Sequence, residues 1–364
     1  MKKSKKPTPS GPVKPSIIPA EPEPRTTDEM LTEHRNARQA KEVSAENKRL
    51  LEEVHALTGR LEQFQQARKY STQLPPITGP RKGRVLSTDR RVATAFAAAS
   101  DWHVGERVDP ERVMGLNEYN PEVARLRAER FFEGLAWLIR EQRQTFDVQH
   151  LVLWLGGDFL SGGIHVELIE SNYMSPLEES AFARTLIKNG LRYLRREFPD
   201  LKIRVPASFG NHDRTTDKTR IGTAGSNSYT KAMYLDLAEI FEGDEAIQFQ
   251  VADGHHLVTQ MYDFRMHLHH GDSVRSNGGV GGVDVPINRA AIMWRDKYQA
   301  HCTTVGHFHT YNGGQYVIRN GSLVGYGSYS DFLASAKPEP ARQAFAMIDS
   351  KRGLCKQTPI WCQE

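Results

Sequence analysis

From residue 89 onward, short apolar runs alternate with long amphipathic stretches. Val92–Ser100, His150–Leu155, Lys202–Phe209, Leu257–His269 and Thr303–Val305 read as buried strands, being short, apolar and rich in β-branched or aromatic residues. Pro121–Gln142, Pro176–Phe198, Ser228–Phe241 and Pro286–Gln299 carry apolar residues at three- and four-residue spacing and read as helices. Strand and helix taken in turn predict an α/β sheet that binds ligands at the carboxyl ends of its strands. The later strands lie closer together, which predicts a mixed or antiparallel sheet towards the C-terminus. No internal repeat of roughly 20 to 50 residues is present.

The first 88 residues follow another pattern. Seven of the 19 prolines fall between Pro7 and Pro24, among Lys, Ser and Glu. Such a composition buries too little apolar surface to offset chain entropy, so residues 1–27 are expected to be a disordered basic arm. Over residues 28–70 a helix is expected. Ala40, Val43, Asn47, Leu50, Val54, Leu57, Leu61 and Phe64 recur at alternating spacings of 3 and 4, a heptad seam that predicts a coiled coil and self-association through residues 40–64. Asn47 at an a position suits register control, while Leu51 at an e position also fits one amphipathic helix packed on its own domain. Residues 71–88, with Leu74-Pro75-Pro76-Ile77-Thr78-Gly79-Pro80, read as a linker to a body spanning 89–364.

Composition adds boundaries. With 364 residues, 38% hydrophobic and 25% charged, the chain suffices for a large core, and disorder throughout is excluded. No apolar run approaches the ~18 residues of a membrane span, and no apolar stretch follows the N-terminal lysines, so a cytoplasmic protein without membrane contact is expected. Cys302, Cys355 and Cys362 are too few for a disulfide framework. Residues 1–88 hold 17 Lys and Arg against 10 Asp and Glu, and the remainder holds 31 against 34. A basic arm on a slightly acidic body suits a polyanionic partner or simply keeps the chain soluble.

The five apolar runs end alike. Asp101-Trp102-His103, Gly156-Gly157-Asp158, Gly210-Asn211-His212-Asp213, His270-Gly271-Asp272 and Gly306-His307-Phe308-His309 each follow a strand. Singly, a histidine beside a strand is more often a structural hydrogen-bonding residue, and an Asp after a Gly turn is more often a cap. Five such endings in one chain converge on one rim and point to a metal site. Carboxylates, imidazoles and one amide suit a pair of divalent cations that polarise a phosphoryl oxygen and activate water; the donor types favour Mn²⁺, with Fe or Zn²⁺ as the other fits. Asp158 is placed to bridge the ions, since glycines before it let the backbone approach closely.

In this order the motifs resemble the calcineurin-like metallophosphoesterase superfamily over residues 95–310. The resemblance implies a four-layer α/β/β/α sandwich of two mixed sheets. It implies that Asp101, His103 and His309 hold one metal and Asn211, His270 and His307 the other, with Asp158 between them and His212 assisting catalysis without being a ligand. His270 is chosen over His267 and His269 because it directly precedes Gly271-Asp272; the other two read as strand residues. Protein Ser/Thr phosphatases carry Gly-Asp-x-x-Asp-Arg-Gly, whereas Gly157-Asp158-Phe159-Leu160-Ser161-Gly162-Gly163 lacks the second Asp and the Arg. Phe159-Leu160 fits the DNA-repair exonuclease branch; Ser161 stands where that branch often has a histidine, and His165 is a candidate replacement.

Asp213 is a candidate to orient His212, or a turn residue. Arg214, with Lys218 and Arg220, is a candidate for phosphate contact, and Ser276–Gly282 for a mobile lid. The expected activity is metal-dependent hydrolysis of phosphodiester bonds by activated water, with DNA as substrate in the manner of a repair exonuclease. A phosphatase or phosphodiesterase for a nucleotide or cyclic nucleotide is the alternative, and a coiled-coil adaptor with a binding-only body is the third reading.

Overall fold

A computed structural model describes residues 90–275, 282–328, 331 and 338–363, together with residues 32, 35, 36, 38, 39, 41, 43–55 and 58. The arm of residues 1–27, the linker of residues 71–88, the heptad positions Ala40, Leu57, Leu61 and Phe64, and the glycine run through Gly281 lie outside the described residues. The chain divides into two units, Met1–Glu62 and Gln63–Glu364. In the first, residues 43–55 are helical (α1), and Val43, Leu50, Leu51 and Val54 are exposed.

The second unit contains eleven described strands in two sheets. β1 (Arg91–Ala99), β2 (Phe146–Leu155), β3 (Lys202–Ala207) and β4 (Ile247–Val251) run parallel, and β10 (Arg342–Asp349) and β11 (Gly353–Trp361) join antiparallel beside β1, giving the order β11-β10-β1-β2-β3-β4. The other sheet has the order β5-β6-β7-β9-β8, from β5 (His256–Met261), β6 (Phe264–His269), β7 (Cys302–Val305), β8 (Asn312–Gly313) and β9 (Val317–Arg319). β6, β7 and β9 are parallel, and β5 and β8 flank them antiparallel. The helices are α2 (Pro121–Gln142), α3 (Val166–Ser171), α4 (Pro176–Glu197), α5 (Tyr229–Ile240) and α6 (Asp284–Tyr298). Among the described residues, no helix is long and apolar enough to cross a membrane.

Alternation along the strands builds the layers. Ala93, Ala95, Ala97 and Ala99 of β1 and Leu151, Leu153 and Leu155 of β2 pack with Phe131, Leu135, Ile187, Leu191 and Leu237 of α2, α4 and α5. The opposite faces, Phe96, Ala98, Val152 and Trp154, join Met261, Met266, Leu268, Cys302 and Ile318 of the second sheet. Beyond that sheet, Val305 and Ile287 form a third cluster with Trp294 of α6 packed against it. Helix, sheet, sheet and helix follow in turn, the four-layer sandwich with two mixed sheets that the motifs imply. His267 and His269 are strand residues, as expected. Both stack on Tyr298 or Trp294 of α6, with centroids 4.9 and 4.7 Å apart, because β6 turns Met266 and Leu268 towards the other sheet.

The helix ends follow local chemistry. Asn120 caps α2, accepting from Val123 N at 2.9 Å, and Ser175 and Glu178 close a capping box at α4, each helix starting on a proline. Two differences from the sequence reading stand out. Leu257–His269 is a hairpin, β5 and β6, instead of one strand: it turns through Tyr262-Asp263 with Tyr262 at φ 56°, and that pair lacks the glycine or asparagine that marks such turns. β10 and β11 complete the first sheet beyond the last strand read from the sequence, with Ala95 opposite Met347.

Candidate metal centre

Five loops bring the motif residues together at the carboxyl ends of β1, β2, β3, β6 and β7. Main-chain bonds knit them: Asp101 N donates to Gly157 O (3.0 Å), His103 N to Asp158 O (3.1 Å), and Gly306 N to His270 O (2.7 Å). Side chains cross between the loops as well. His307 N donates to Asp101 Oδ1 (2.9 Å), and His270 Nδ1 lies 2.8 Å from Gly156 O.

Two groups of donors emerge, Asp101 with His103 and His309, and Asp158 with His270 and His307; within each, one ligand atom per residue lies within 4.8 Å of the others. His103 Nε2 and His309 Nε2 are 3.2 Å apart, and His309 Nε2 is 3.6 Å from Asp101 Oδ1. Asp158 Oδ2 is 2.9 Å from His270 Nε2, and its Oδ1 accepts from His212 N at 2.8 Å. Asn211 Oδ1 is buried without a hydrogen-bond partner, and a buried amide oxygen of this kind is stabilised by a cation or a donor. The two groups are candidate sites for divalent ions.

The backbone adds a second sign of a built site. Among the described residues, eight non-glycine residues have φ in the left-handed region, and Asp101, His103, Asp158, His307 and His309 are five of them. Each costs on the order of 1 kcal/mol or more and persists only where surrounding contacts fix it. Glycine is required beside them: a Cβ on Gly306 would lie 2.5 Å from Asp101 Oδ2.

Burial sets the charges. It pushes Asp101 up to about 7, against the lowering influence of His270. Burial would raise Asp158 too, but His270 and then His212 hold its carboxyl well below the usual range. His270, which burial alone would neutralise, is raised well above 6.5 by Asp158. His103 is held well below its ordinary value, His307 falls to about 4 and His309 to about 3, in each case by burial first and neighbouring imidazoles next, so their lone pairs are free for ligation. A metal entering the Asp158 group must displace the His270 proton, so affinity should rise with pH and binding should release about one proton from that ring. Calorimetry of Mn²⁺ binding in two buffers of different ionisation enthalpy checks this; identical heats would contradict it.

His212 belongs to neither donor group. Its Nδ1 lies 2.8 Å from Ser161 O, which assigns the Nδ1 proton to that bond. The ring meets His103 edge-on at 4.7 Å and His165 at 6.3 Å. His165 is exposed at the N-terminus of α3, on the rim and outside both donor groups. Asp213 does not orient the His212 ring: it is buried, and its Oδ2 accepts from Asp158 N (2.9 Å) and Gly210 N (2.7 Å), so it fixes the backbone on either side of the site. Ser161 meets His212 through its carbonyl oxygen alone.

Three residues missed in the sequence, Ser100, Asn320 and Glu179, support this frame. Ser100 Oγ donates to Asp101 Oδ2, and Asn320 Nδ2 donates to Ser100 Oγ at 2.9 Å. Glu179 of α4 is fully buried; it accepts from Gly162 N (2.9 Å) and Asn172 Nδ2 (3.2 Å) and so holds the loop that presents Ser161 O to His212. Burial raises Glu179 from 4.5 to about 7. The folded chain thus keeps a proton that the unfolded chain has lost, and this group costs stability progressively as pH rises from about 4.5 to about 7, by roughly 3 kcal/mol in full. Glu179→Gln should gain stability against the wild type across that window, read as urea midpoints at about pH 5 and about pH 8. An offset independent of pH would contradict the assignment.

No protein-family model matches the chain, and no curated protein matches it. Among solved structures, it is similar to a conserved uncharacterized protein of Streptococcus pneumoniae TIGR4 described as a predicted phosphoesterase (12% identity, TM-score 0.28, covering 74% of this chain and 98% of that one). It is also similar to a hypothetical protein of Pyrococcus horikoshii OT3 (12%, TM-score 0.34, 74% and 88%) and to Vps29 of Chaetomium thermophilum (9%, TM-score 0.26, 73% and 96%). At such scores the likenesses carry no chemistry, and the site rests on its own geometry.

Proposed function

We propose that the chain is a metal-dependent phosphodiesterase of the calcineurin-like metallophosphoesterase superfamily, and that its substrate is DNA. The observation that carries the phosphoesterase reading is the pair of donor groups, each within 4.8 Å, beside the unpartnered oxygen of Asn211. Asp101, His103 and His309 would hold one cation, Asn211, His270 and His307 the other, with Asp158 shared. The mixture of oxygen and nitrogen donors suits Mn²⁺ first. Two bound cations supply positive charge for the phosphoryl oxygens and acidify water.

The chain's own contribution is positional. His212, with Nδ1 committed to Ser161 O, keeps Nε2 for the departing oxygen or a phosphoryl oxygen. Asp213 and Glu179 hold the loops of Asp158 and Ser161, so the donors need little reorganisation when substrate arrives.

The DNA reading is supported by the excess of basic residues in positions 1–88 and by Arg214, Lys218 and Arg220 beyond His212. Self-association through residues 40–64 belongs to the same proposal, since two copies would gather one polymer. The slight acidity of residues 89–364 favours a nucleotide or cyclic nucleotide as the second reading. Incubation with Mn²⁺ and bis-p-nitrophenyl phosphate, p-nitrophenyl phosphate and labelled single- and double-stranded DNA separates them. The diester should turn over faster than the monoester, and DNA should be shortened. Intact DNA beside rapid diester turnover would select the small-molecule reading, and no turnover by metal-loaded protein would select a binding-only body.

A further inference from the structure

Beside Asn211 lies an open cleft lined by none of the residues of the two donor groups. One wall is the loop of residues 214–228, closed at its base by the bridge between Arg214 and Ser228 and by the bond from Thr215 N to Asn227 O (2.9 Å). Asn211 joins the cleft to the metal centre, and Arg214, Arg220, Asn227 and His255 line the remainder.

The chemistry of these side chains is that of an anion site. The Arg214 guanidinium is held by three main-chain carbonyls: Nη1 donates to Asn211 O (2.9 Å), Nε to Thr216 O (2.9 Å) and Nη2 to Asp217 O (3.2 Å). Carbonyls orient the charge without cancelling it, and two of the five N–H donors of a guanidinium stay uncommitted. Arg220 is exposed on the same loop, and among the described residues neither arginine has a carboxylate partner. His255 Nε2 is buried without a hydrogen-bond partner, its ring edge-on to Phe209 at 5.4 Å. The single carboxylate lining the cleft, Asp272, lies two residues after the metal-group residue His270. A guanidinium fixed by carbonyls and a second one exposed on the same loop match a phosphate.

We propose that this cleft binds a second phosphate of the substrate, next to the one that is cleaved, so that the site selects an oligonucleotide strand over an isolated diester. This rests on the phosphodiesterase reading above and adds the group that the substrate carries beyond the scissile bond. Phosphate contacts position a strand without reading its sequence, so the selection is for the repeating backbone.

The test compares thymidylyl-thymidine, which has one phosphate, with the same dinucleotide bearing a further phosphate at its 5′ or its 3′ end, in full-length protein with Mn²⁺. One of the two added phosphates should raise kcat/KM about tenfold or more, and both Arg220→Ala and Arg214→Lys should reduce that ratio towards one. Arg220→Ala leaves the loop's main-chain bonds intact should Arg214→Lys fail to fold. No gain from either phosphate, or a gain undiminished in both variants, overturns the proposal. Calorimetry of thymidine 3′,5′-bisphosphate against EDTA-treated protein reads the cleft apart from catalysis. Binding at least about tenfold weaker in Arg220→Ala supports the cleft even if no diester is hydrolysed, an outcome that would remove only the catalytic reading; equal affinities overturn the cleft.

Discussion

Asp158→Asn should empty both metal positions together and lower diester turnover by about 10³-fold or more. The residue is buried, its Oδ2 lies 2.9 Å from His270 Nε2, and its main-chain oxygen accepts from His103 of the other group. An amide in its place removes the charge that holds the His270 proton and that would offset two cations. Metal content by mass spectrometry, measured on the same sample as the rate, checks this. Loss of one ion with the other retained at full occupancy would show that Asp158 serves a single position.

His212→Asn and His212→Gln should behave in the opposite way, with turnover falling by about 10² to 10⁴-fold and both metals retained. The side chain makes its bond to Ser161 O and belongs to neither donor group. Its main-chain N–H to Asp158 Oδ1 survives substitution, so the ligand frame keeps that support. Metal loss equal to that in Asp158→Asn would make His212 a ligand, and an unchanged rate would remove it from catalysis.

The four-layer fold and the convergence of the strand-end motifs were both legible in the sequence. Each candidate motif is a short polar cluster directly after an apolar run, and strand ends are where a parallel sheet gathers side chains; the convergence of Asp101, His103, Asp158, His270, His307 and His309 could be read from that order, while their division into two groups came from the family resemblance. Helices with proline starts and polar caps were read to within about two residues, a usual margin at helix ends. What escaped depends on tertiary context. Glu179 is one acidic residue in the helical pattern of α4, and only packing reveals that it faces Gly162. Ser161 stood out in the sequence only for lacking the histidine of one branch, because a carbonyl oxygen has no signature in a side-chain motif. The β5–β6 turn at Tyr262-Asp263 and the late addition of β10 beside β1 reflect long-range pairing that local propensity does not encode.

The proposed chemistry requires two cations that share Asp158. Crystals grown with Mn²⁺ and measured at the manganese absorption edge should show two anomalous peaks about 3.5–4 Å apart. One should lie against Asp101, His103 and His309 and the other against Asn211, His270 and His307. A single peak, or peaks away from Asp158, would contradict it.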